Sequence, residues 1–115
     1  MATLDMKGPF DFDENTVKKV TPKIGNYALG HMTEEGKFRP KYVGRSDSDL
    51  QAELVQRLKT HGHHKKFKIS YADSKKDAFN KECKNYHEFD PSENENHPDS
   101  PDGMNLQCPF SQYHT

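Results

Sequence analysis

Two short apolar segments in the first half of the chain place the strongest constraint on its fold. The segments "NYALGHM" (residues 26–32) and "PKYVGRS" (residues 40–46) each carry a tyrosine and a glycine, and the turn-forming segment "TEEGK" lies between them. Short runs of this kind on either side of a glycine-containing loop are typical of a β-hairpin. We therefore expect residues 25–46 to form two adjacent strands, with Tyr27 on the first and Tyr42 on the second.

The segments after the hairpin predict a helix, a third strand and a second helix. "SDSDLQAELVQRLKTHG" has Ser48 as its N-cap, leucines and a valine at helical spacing, and Gly62 as its stop. "KFKISYA" alternates apolar and polar residues as a half-buried strand does, and "SKKDAFNKECKNYHEF", which starts at Ser74, has one apolar stripe. This order predicts an α+β domain with a small, three-stranded, mainly antiparallel sheet flanked by helices.

The two ends of the chain lack this periodicity. Residues 1–15 contain glycine, proline and four acids, so we expect a flexible N-terminal lead-in there and a single domain over residues 16–115. Within that domain, residues 90–115 are rich in Pro, Asn, Asp and Ser and predict an irregular C-terminal segment. Only 30% of the residues are hydrophobic, so the core must be small.

The charged residues are distributed unevenly along the chain. Residues 16–85 contain sixteen Lys and Arg and eight Asp and Glu, whereas residues 86–115 contain six Asp and Glu and no Lys or Arg. This basic centre could attract a polyanion such as nucleic acid, although a solvated surface explains the same charges.

Membrane and secretion signals are not found in the sequence. No apolar run approaches the roughly 18 residues that a membrane helix needs, and the N-terminal residues lack the order of a signal peptide. We therefore expect no membrane association and a cytoplasmic location. The sequence does not indicate the oligomeric state.

The order of the motifs resembles the GIY-YIG nuclease domain family over roughly residues 25–97. The first half-motif is "GNYALG" and the second is "KYVG", followed by an amphipathic helix, a strand and a helix that bears a glutamate. The resemblance implies a three-stranded antiparallel sheet flanked by helices. It also implies hydrolysis of nucleic-acid phosphodiester bonds with Mg²⁺ or Mn²⁺, with DNA favoured over RNA as the substrate.

The same resemblance implies roles for individual residues. Tyr27 and Tyr42 would lie in the active site, with Tyr27 as general base towards the attacking water, although aromatic residues also suit strands without any such role. Glu82 would hold the metal, and Asn94 or Asn96 would support the site. Glu82 also lies in the apolar stripe of its helix, where a carboxylate is costly unless a metal or a donor contacts it. The alternative is a glutamate at the edge of the stripe whose carboxylate reaches water or pairs with a lysine.

The arginine that the family places on its first helix is missing from the usual position. Counted from "YVG", that position falls on or beside Glu53, and a carboxylate there would repel phosphate. Arg57 and His61 repeat the Arg-x-x-x-His spacing of the family one turn later, and four residues return to nearly the same helix face. Arg57 could therefore be the phosphate cation, with Arg45 as a further cation. The alternative is a catalytically impaired module that binds nucleic acid or has a structural role.

Two cysteines and two histidines predict a separate metal site. Cys83 and His87 are four residues apart on one helix face, and His97 and Cys108 follow in the irregular segment. Two thiolates and two imidazoles can form a tetrahedral Zn²⁺ site, which would order a segment with little core of its own. The alternative is a buried cysteine, a cysteine in a loop and surface histidines. The run "HGHHKK" is expected to be a solvated, basic loop that could contact phosphate.

Overall fold

The secondary structure follows the predicted order, preceded by one more strand and one short helix. The structure is a computed structural model that describes residues 4–89, 91–94, 97–101 and 103–109 of the 115-residue chain. Its elements are, in chain order, β1 (Lys7–Asp11), α1 (Glu14–Val17), β2 (Gly25–Met32), β3 (Phe38–Ser46), α2 (Leu50–His61), β4 (Lys66–Tyr71) and α3 (Lys75–Phe89). The strands form one antiparallel sheet in the order β1-β4-β2-β3.

The sheet has four strands within the described residues, so the predicted number of three is wrong. The additional strand, β1, lies in the N-terminal segment that the sequence indicated as a flexible lead-in, and it pairs with β4. The sequence around Gly8 and Pro9 does not indicate a strand, because both residues are unfavourable inside strands. Proline is tolerated here because β1 is at the edge of the sheet. Aromatic contacts hold it in place: the rings of Phe10 and Phe12 lie 5.6 and 5.5 Å from the ring of Phe67.

The predicted hairpin is confirmed as the antiparallel pair β2 and β3. Tyr27 lies opposite Gly44, and Leu29 lies opposite Tyr42, so the two tyrosines are offset by two residues and share one face of the sheet. A β-carbon on Gly44 would collide with the ring and hydroxyl of Tyr27. The glycine of "YVG" is therefore required for Tyr27 to lie across the neighbouring strand.

Helices cover both faces of the sheet. On the face of Tyr27, α1 and α2 enclose a core formed by Phe12, Val17, Val20, Tyr27, Leu29, Leu50, Leu54, Phe67 and Ile69. On the opposite face, α3 covers a smaller cluster formed by Leu4, Ala28 and Val43, with Met6, Phe38, Tyr86 and Phe89 packed against it. The side-chain amide of Asn26 fixes this helix by donating to the carbonyl of Ala78 at 2.9 Å.

The helix ends agree with the sequence except at the start of α2. Its N-cap is Asp49, whose carboxylate accepts a bond from a backbone N–H three residues on at 2.9 Å, and the predicted cap Ser48 precedes it. Gly62 ends the helix as predicted. Ser74 accepts a bond from the backbone at 3.1 Å before the first turn of α3, also as predicted.

The C-terminal segment is irregular, as the sequence predicted. Its described residues, 91–94, 97–101 and 103–109, contain no helix or strand. One backbone bond fastens it to the sheet, from the N–H of Glu93 to the carbonyl of Lys41 at 2.9 Å. No helix in the described part of the chain is long and apolar enough to cross a membrane.

Candidate active site and metal centres

The edge strand β3 lies at the centre of the candidate active site. Successive side chains of a strand point to opposite faces, so Tyr42 reaches α2 and Arg45 reaches α3. Within the described sheet, β3 has no neighbouring strand on its outer side, where residues of the C-terminal segment bond to its backbone instead.

Tyr27 is fully buried, and its hydroxyl donates to Glu53 Oε2 at 2.7 Å. Burial raises the pKa of Tyr27 well above its ordinary value, and the nearby Glu53 carboxylate raises it further. The phenol is therefore protonated and acts as a hydrogen-bond donor. Its burial separates it from any water at the surface.

Tyr42, Arg57 and His61 form a contiguous group beside Tyr27. The Tyr42 ring stacks on the Tyr27 ring with centroids 6.1 Å apart, and the His61 ring lies 4.6 Å from the Tyr42 ring. Arg57 Cζ lies 5.9 Å from the centre of the Tyr42 ring, and Arg57 Nε lies 3.4 Å from Glu53 Oε2. The structure thus places Arg57 against Tyr42 and against Glu53, the carboxylate to which Tyr27 donates.

Glu82 lies on the opposite face of β3 and contacts a guanidinium. Its side chain is 12% exposed, and Oε1 accepts a bond from Arg45 Nη1. Arg45 also donates to Asp47 Oδ1 at 2.8 Å and to the carbonyl of Asp99. Burial alone would lower the pKa of Arg45, but the bonds to the carboxylates raise it.

Burial and the neighbouring Arg45 charge shift the pKa of Glu82 in opposite directions. Burial raises the pKa of Glu82 to about 7 despite the opposing effect of Arg45. The charged groups that act on Glu82 are the Arg45 guanidinium, which lowers its pKa, and the carboxylates of Asp47 and Glu53, which raise it. An oxygen-ligated divalent cation is one way to compensate such carboxylates. Among the described residues, however, Glu82 does not belong to a group of three or more ligand atoms close enough to hold a metal ion.

Asn94 supports the edge strand with both ends of its side-chain amide. Nδ2 donates to the carbonyl of Val43 at 2.9 Å, and Oδ1 accepts from the N–H of Val43 at 2.8 Å. These bonds pair backbone groups that an edge strand otherwise presents to water. They fix the backbone between Tyr42 and Gly44. Asn96, the other candidate, lies outside the described residues.

Three of the four predicted zinc ligands come together at the C-terminal segment. Ligand atoms of Cys83, His97 and Cys108 lie within 4.8 Å of one another. The fourth, His87, is outside this group, and its Nε2 lies 3.1 Å from His97 Nε2. His97 Nδ1 lies 2.8 Å from the carbonyl oxygen of Pro98, so a proton on Nδ1 leaves Nε2 as a ligand atom. Burial raises the pKa of the Cys83 thiol, an effect that a bound metal reverses. These residues can hold a metal ion.

A second group of ligand atoms lies at the turn between α2 and β4. Here His63, His64 and Glu93 present ligand atoms within 4.8 Å of one another. The histidines belong to the run that the sequence indicated as a solvated loop. Glu93 is distant in sequence and reaches them only because its backbone bonds to β3, for which no sequence signal exists.

Asp47 and Glu53 also belong to the site, although neither was predicted as a functional residue. Asp47 was detectable, because it follows Arg45 by two residues and side chains with that spacing share a side of an extended segment. In the sequence, Glu53 stands out only because it differs from the arginine that the GIY-YIG resemblance implies on or beside this position. Its bond to Tyr27 depends on how α2 packs on the sheet.

No family model, no characterised protein and no solved structure matches this chain. The chemistry of the site is therefore inferred from its own geometry.

Proposed function

We propose that this protein hydrolyses phosphodiester bonds of nucleic acid with a divalent metal ion, as a GIY-YIG-like endonuclease, with DNA favoured over RNA. The observation that supports this most is the arrangement around one edge strand of a buried carboxylate, Glu82, and a tyrosine–arginine pair, Tyr42 and Arg57. The groups on the two faces interact electrostatically, because the Glu53 carboxylate on the α2 side contributes to the raised pKa of Glu82.

Phosphate binding would fall to Arg57 and its neighbours. The guanidinium lies against the Tyr42 ring and has 25% of its side chain exposed, so its remaining N–H groups can donate to two phosphate oxygens. Burial and the nearby Arg57 lower the pKa of His61. His61 is therefore neutral at pH 7 and would contact the phosphate group as a hydrogen-bonding imidazole.

The proton of the attacking water needs an acceptor other than Tyr27. Glu53 can be that acceptor, since its side chain is 27% exposed and is oriented by the bond from Tyr27 and by Arg57. As the water oxygen bonds to phosphorus, its proton passes to the Glu53 carboxylate, and the bond from phosphorus to the leaving oxygen breaks.

Glu82 would be the metal ligand of the site. Arg45 fixes its carboxylate and is itself held by Asp47 and Asp99. When bound there, Mg²⁺ or Mn²⁺ would supply charge compensation for the phosphate group.

A second candidate function is binding of nucleic acid without hydrolysis, or a structural role. Two observations favour it. Glu53 occupies the region where the family has its phosphate-binding arginine, and Tyr27, the base of the family, has no exposed surface. Binding and hydrolysis must therefore be measured separately.

The metal at Cys83, His87, His97 and Cys108 is in this proposal a structural Zn²⁺. Thiolates and imidazoles favour zinc, whereas carboxylates favour Mg²⁺ and Mn²⁺, so the two sites would hold different ions. Four protein ligands leave no position for a water, which excludes a direct role in hydrolysis.

A plasmid-nicking assay tests the nuclease proposal. Supercoiled DNA incubated with the protein and Mg²⁺ or Mn²⁺ should be nicked, and EDTA should prevent it. Glu82→Gln should abolish nicking while it preserves the shape of the side chain. The matched control is Glu88→Gln, at an exposed position on the same helix, which should nick normally.

Binding to a labelled DNA duplex at low salt should be measured alongside by fluorescence anisotropy. Undiminished nicking by Glu82→Gln would assign the activity to another site or to a contaminant. Binding by the unaltered protein without any nicking would support the second function.

A further inference from the structure

The turn between α2 and β4 places two adjacent histidines against a glutamate of the C-terminal segment. Both Nε2 atoms approach the same carboxylate oxygen, Oε2 of Glu93, at 3.2 Å from His63 and 3.0 Å from His64. This group shares no residue with the cysteine-containing group or with Glu82.

The separations match those between neighbouring ligands of a single metal ion. Zinc lies about 2.0–2.1 Å from a histidine nitrogen and about 2.0–2.2 Å from a carboxylate oxygen. Two such ligands are about 3.4 Å apart at a tetrahedral angle and about 2.9 Å apart at a right angle. The nitrogen–oxygen distances of 3.0 and 3.2 Å lie between these values.

His64 is the residue whose environment most requires a further partner. Only 4% of its side chain is exposed. Its Nε2 makes no well-aligned hydrogen bond with any residue that the structure describes, because the contact with Glu93 is short but poorly directed. A buried ring nitrogen in this state is costly, and a metal ion would satisfy it.

The glutamate is positioned by the hydrogen bonds that support the edge strand. The N–H of Glu93 donates to the carbonyl of Lys41, and the next residue, Asn94, makes two bonds to Val43. A ligand held by its own backbone needs little reorganisation to bind an ion.

The group lies at the rim of the candidate active site. The ring of His61 is 6.4 Å from those of both His63 and His64, and it is 4.6 Å from the ring of Tyr42. A phosphate bound near Tyr42 would therefore lie close to this turn.

We propose that His63, His64 and Glu93 form a further metal site, separate from Glu82 and from the cysteines, that binds a divalent transition-metal ion such as Zn²⁺, Co²⁺ or Mn²⁺. Two imidazoles and one carboxylate suit these ions. Three protein ligands leave at least one coordination position for water or a phosphate oxygen. The site goes beyond the proposed nuclease function and does not depend on it.

Cobalt titration of the full-length chain without a histidine tag tests the site. Cobalt at Cys83 and Cys108 would give a sulfur-to-cobalt charge-transfer band, whereas Co²⁺ bound by nitrogen and oxygen should add visible d–d absorption that rises without a change in that band. Glu93→Gln and His63→Gln should each lower the affinity at least tenfold. His31→Gln, an exposed histidine on β2, should leave it unchanged.

NMR spectra of the ¹⁵N-labelled histidine rings give a second measurement that does not rely on the visible absorption of cobalt. Adding Zn²⁺ should shift the Nε2 signals of His63 and His64 while the signals of His31 stay constant. Circular dichroism should show that each variant is folded. Full cobalt affinity in Glu93→Gln would overturn the proposal, as would constant Nε2 signals at saturating Zn²⁺, which would identify the group as a hydrogen-bonded ion pair.

Discussion

The bond between Tyr27 and Glu53 determines which groups can act in the site. It keeps the buried phenol in its donor form and turns the Glu53 carboxylate towards Arg57. In the proposed reaction this carboxylate takes the proton of the attacking water, but the same charge repels the phosphate group. Its effects on binding and on the chemical step therefore have opposite signs.

Glu53→Gln should separate these effects. Removing one negative charge near the phosphate should raise DNA affinity several-fold at low salt, since about 1.4 kcal/mol corresponds to a factor of ten. Nicking should fall, because an amide cannot take the proton, while its oxygen still accepts the bond from Tyr27. Anisotropy titrations and plasmid nicking under the same conditions measure the two quantities.

The control for this variant is Glu35→Gln, which removes an exposed charge in the turn between β2 and β3. An equal gain in affinity for both variants would show that only the net charge matters. Normal nicking by Glu53→Gln would rule out Glu53 as the proton acceptor.

Part of the site could be predicted from residue spacing, because spacing in strands and helices has a fixed geometric meaning. Positions of Tyr27 and Tyr42 follow from the hairpin, and Arg57 and His61 share a helix face four residues apart. Glu93 could not be found in this way. It lies in a segment without periodicity, and its position depends on the backbone bond from its N–H to the carbonyl of Lys41 in β3.

The element that connects the two halves of the site is the edge strand β3. On one side it pairs with β2, and on the other it is bonded by the C-terminal segment through Glu93 and Asn94. This segment takes the place of a neighbouring strand over a short stretch, and so it holds the backbone that carries Tyr42 and Arg45.

Asn94→Ala should loosen this strand. The variant loses two hydrogen bonds and leaves backbone groups of Val43 unpaired, which should cost about 1–3 kcal/mol of unfolding free energy. Urea denaturation measures the loss, and amide exchange of the Val43 N–H should accelerate more than that of residues in β4.

Ser92→Ala, at an exposed position in the same segment, is the comparison, and it should change the unfolding free energy by less than about 0.5 kcal/mol. Unchanged exchange at Val43 in Asn94→Ala would show that the segment does not hold the strand in solution.

The hairpin and the two long helices were predictable because hydrophobic periodicity and capping residues define them locally. Strand β1 was not, because its proline and glycine are typical of loops and its stability depends on aromatic contacts with Phe67. Its pairing with β4 is a long-range effect that local composition does not contain.

At the scale of the whole molecule, the C-terminal segment joins the metal group of Cys83, His97 and Cys108 to the candidate active site. His97 contacts the ligands on α3, and two residues later the carbonyl of Asp99 accepts a bond from Arg45. Arg45 in turn contacts Glu82, which is adjacent to Cys83. A change at the metal group can thus reach Glu82 both along α3 and through Arg45.

Removal of zinc should therefore destabilise the fold and loosen this connection. Structural zinc contributes about 10–16 kcal/mol of binding free energy in small zinc peptides, so its loss should lower the stability more than any side-chain substitution above. Elemental analysis should find at least one zinc per chain, and about one fewer in Cys108→Ser. A chelator should lower the melting temperature and accelerate amide exchange in residues 97–101 and 103–109.

Two variants identify the site responsible for this loss. Glu93→Gln, which removes a ligand of the other metal group, should respond to the chelator as the unaltered protein does, because its zinc site is intact. Cys108→Ser should already be destabilised and should lose little more when chelator is added. If chelation of the unaltered protein leaves its melting temperature and amide exchange unchanged, the cysteines and histidines do not form a structural zinc site. The C-terminal segment would then be held by contacts that include its hydrogen bonds to Lys41, Val43 and Arg45.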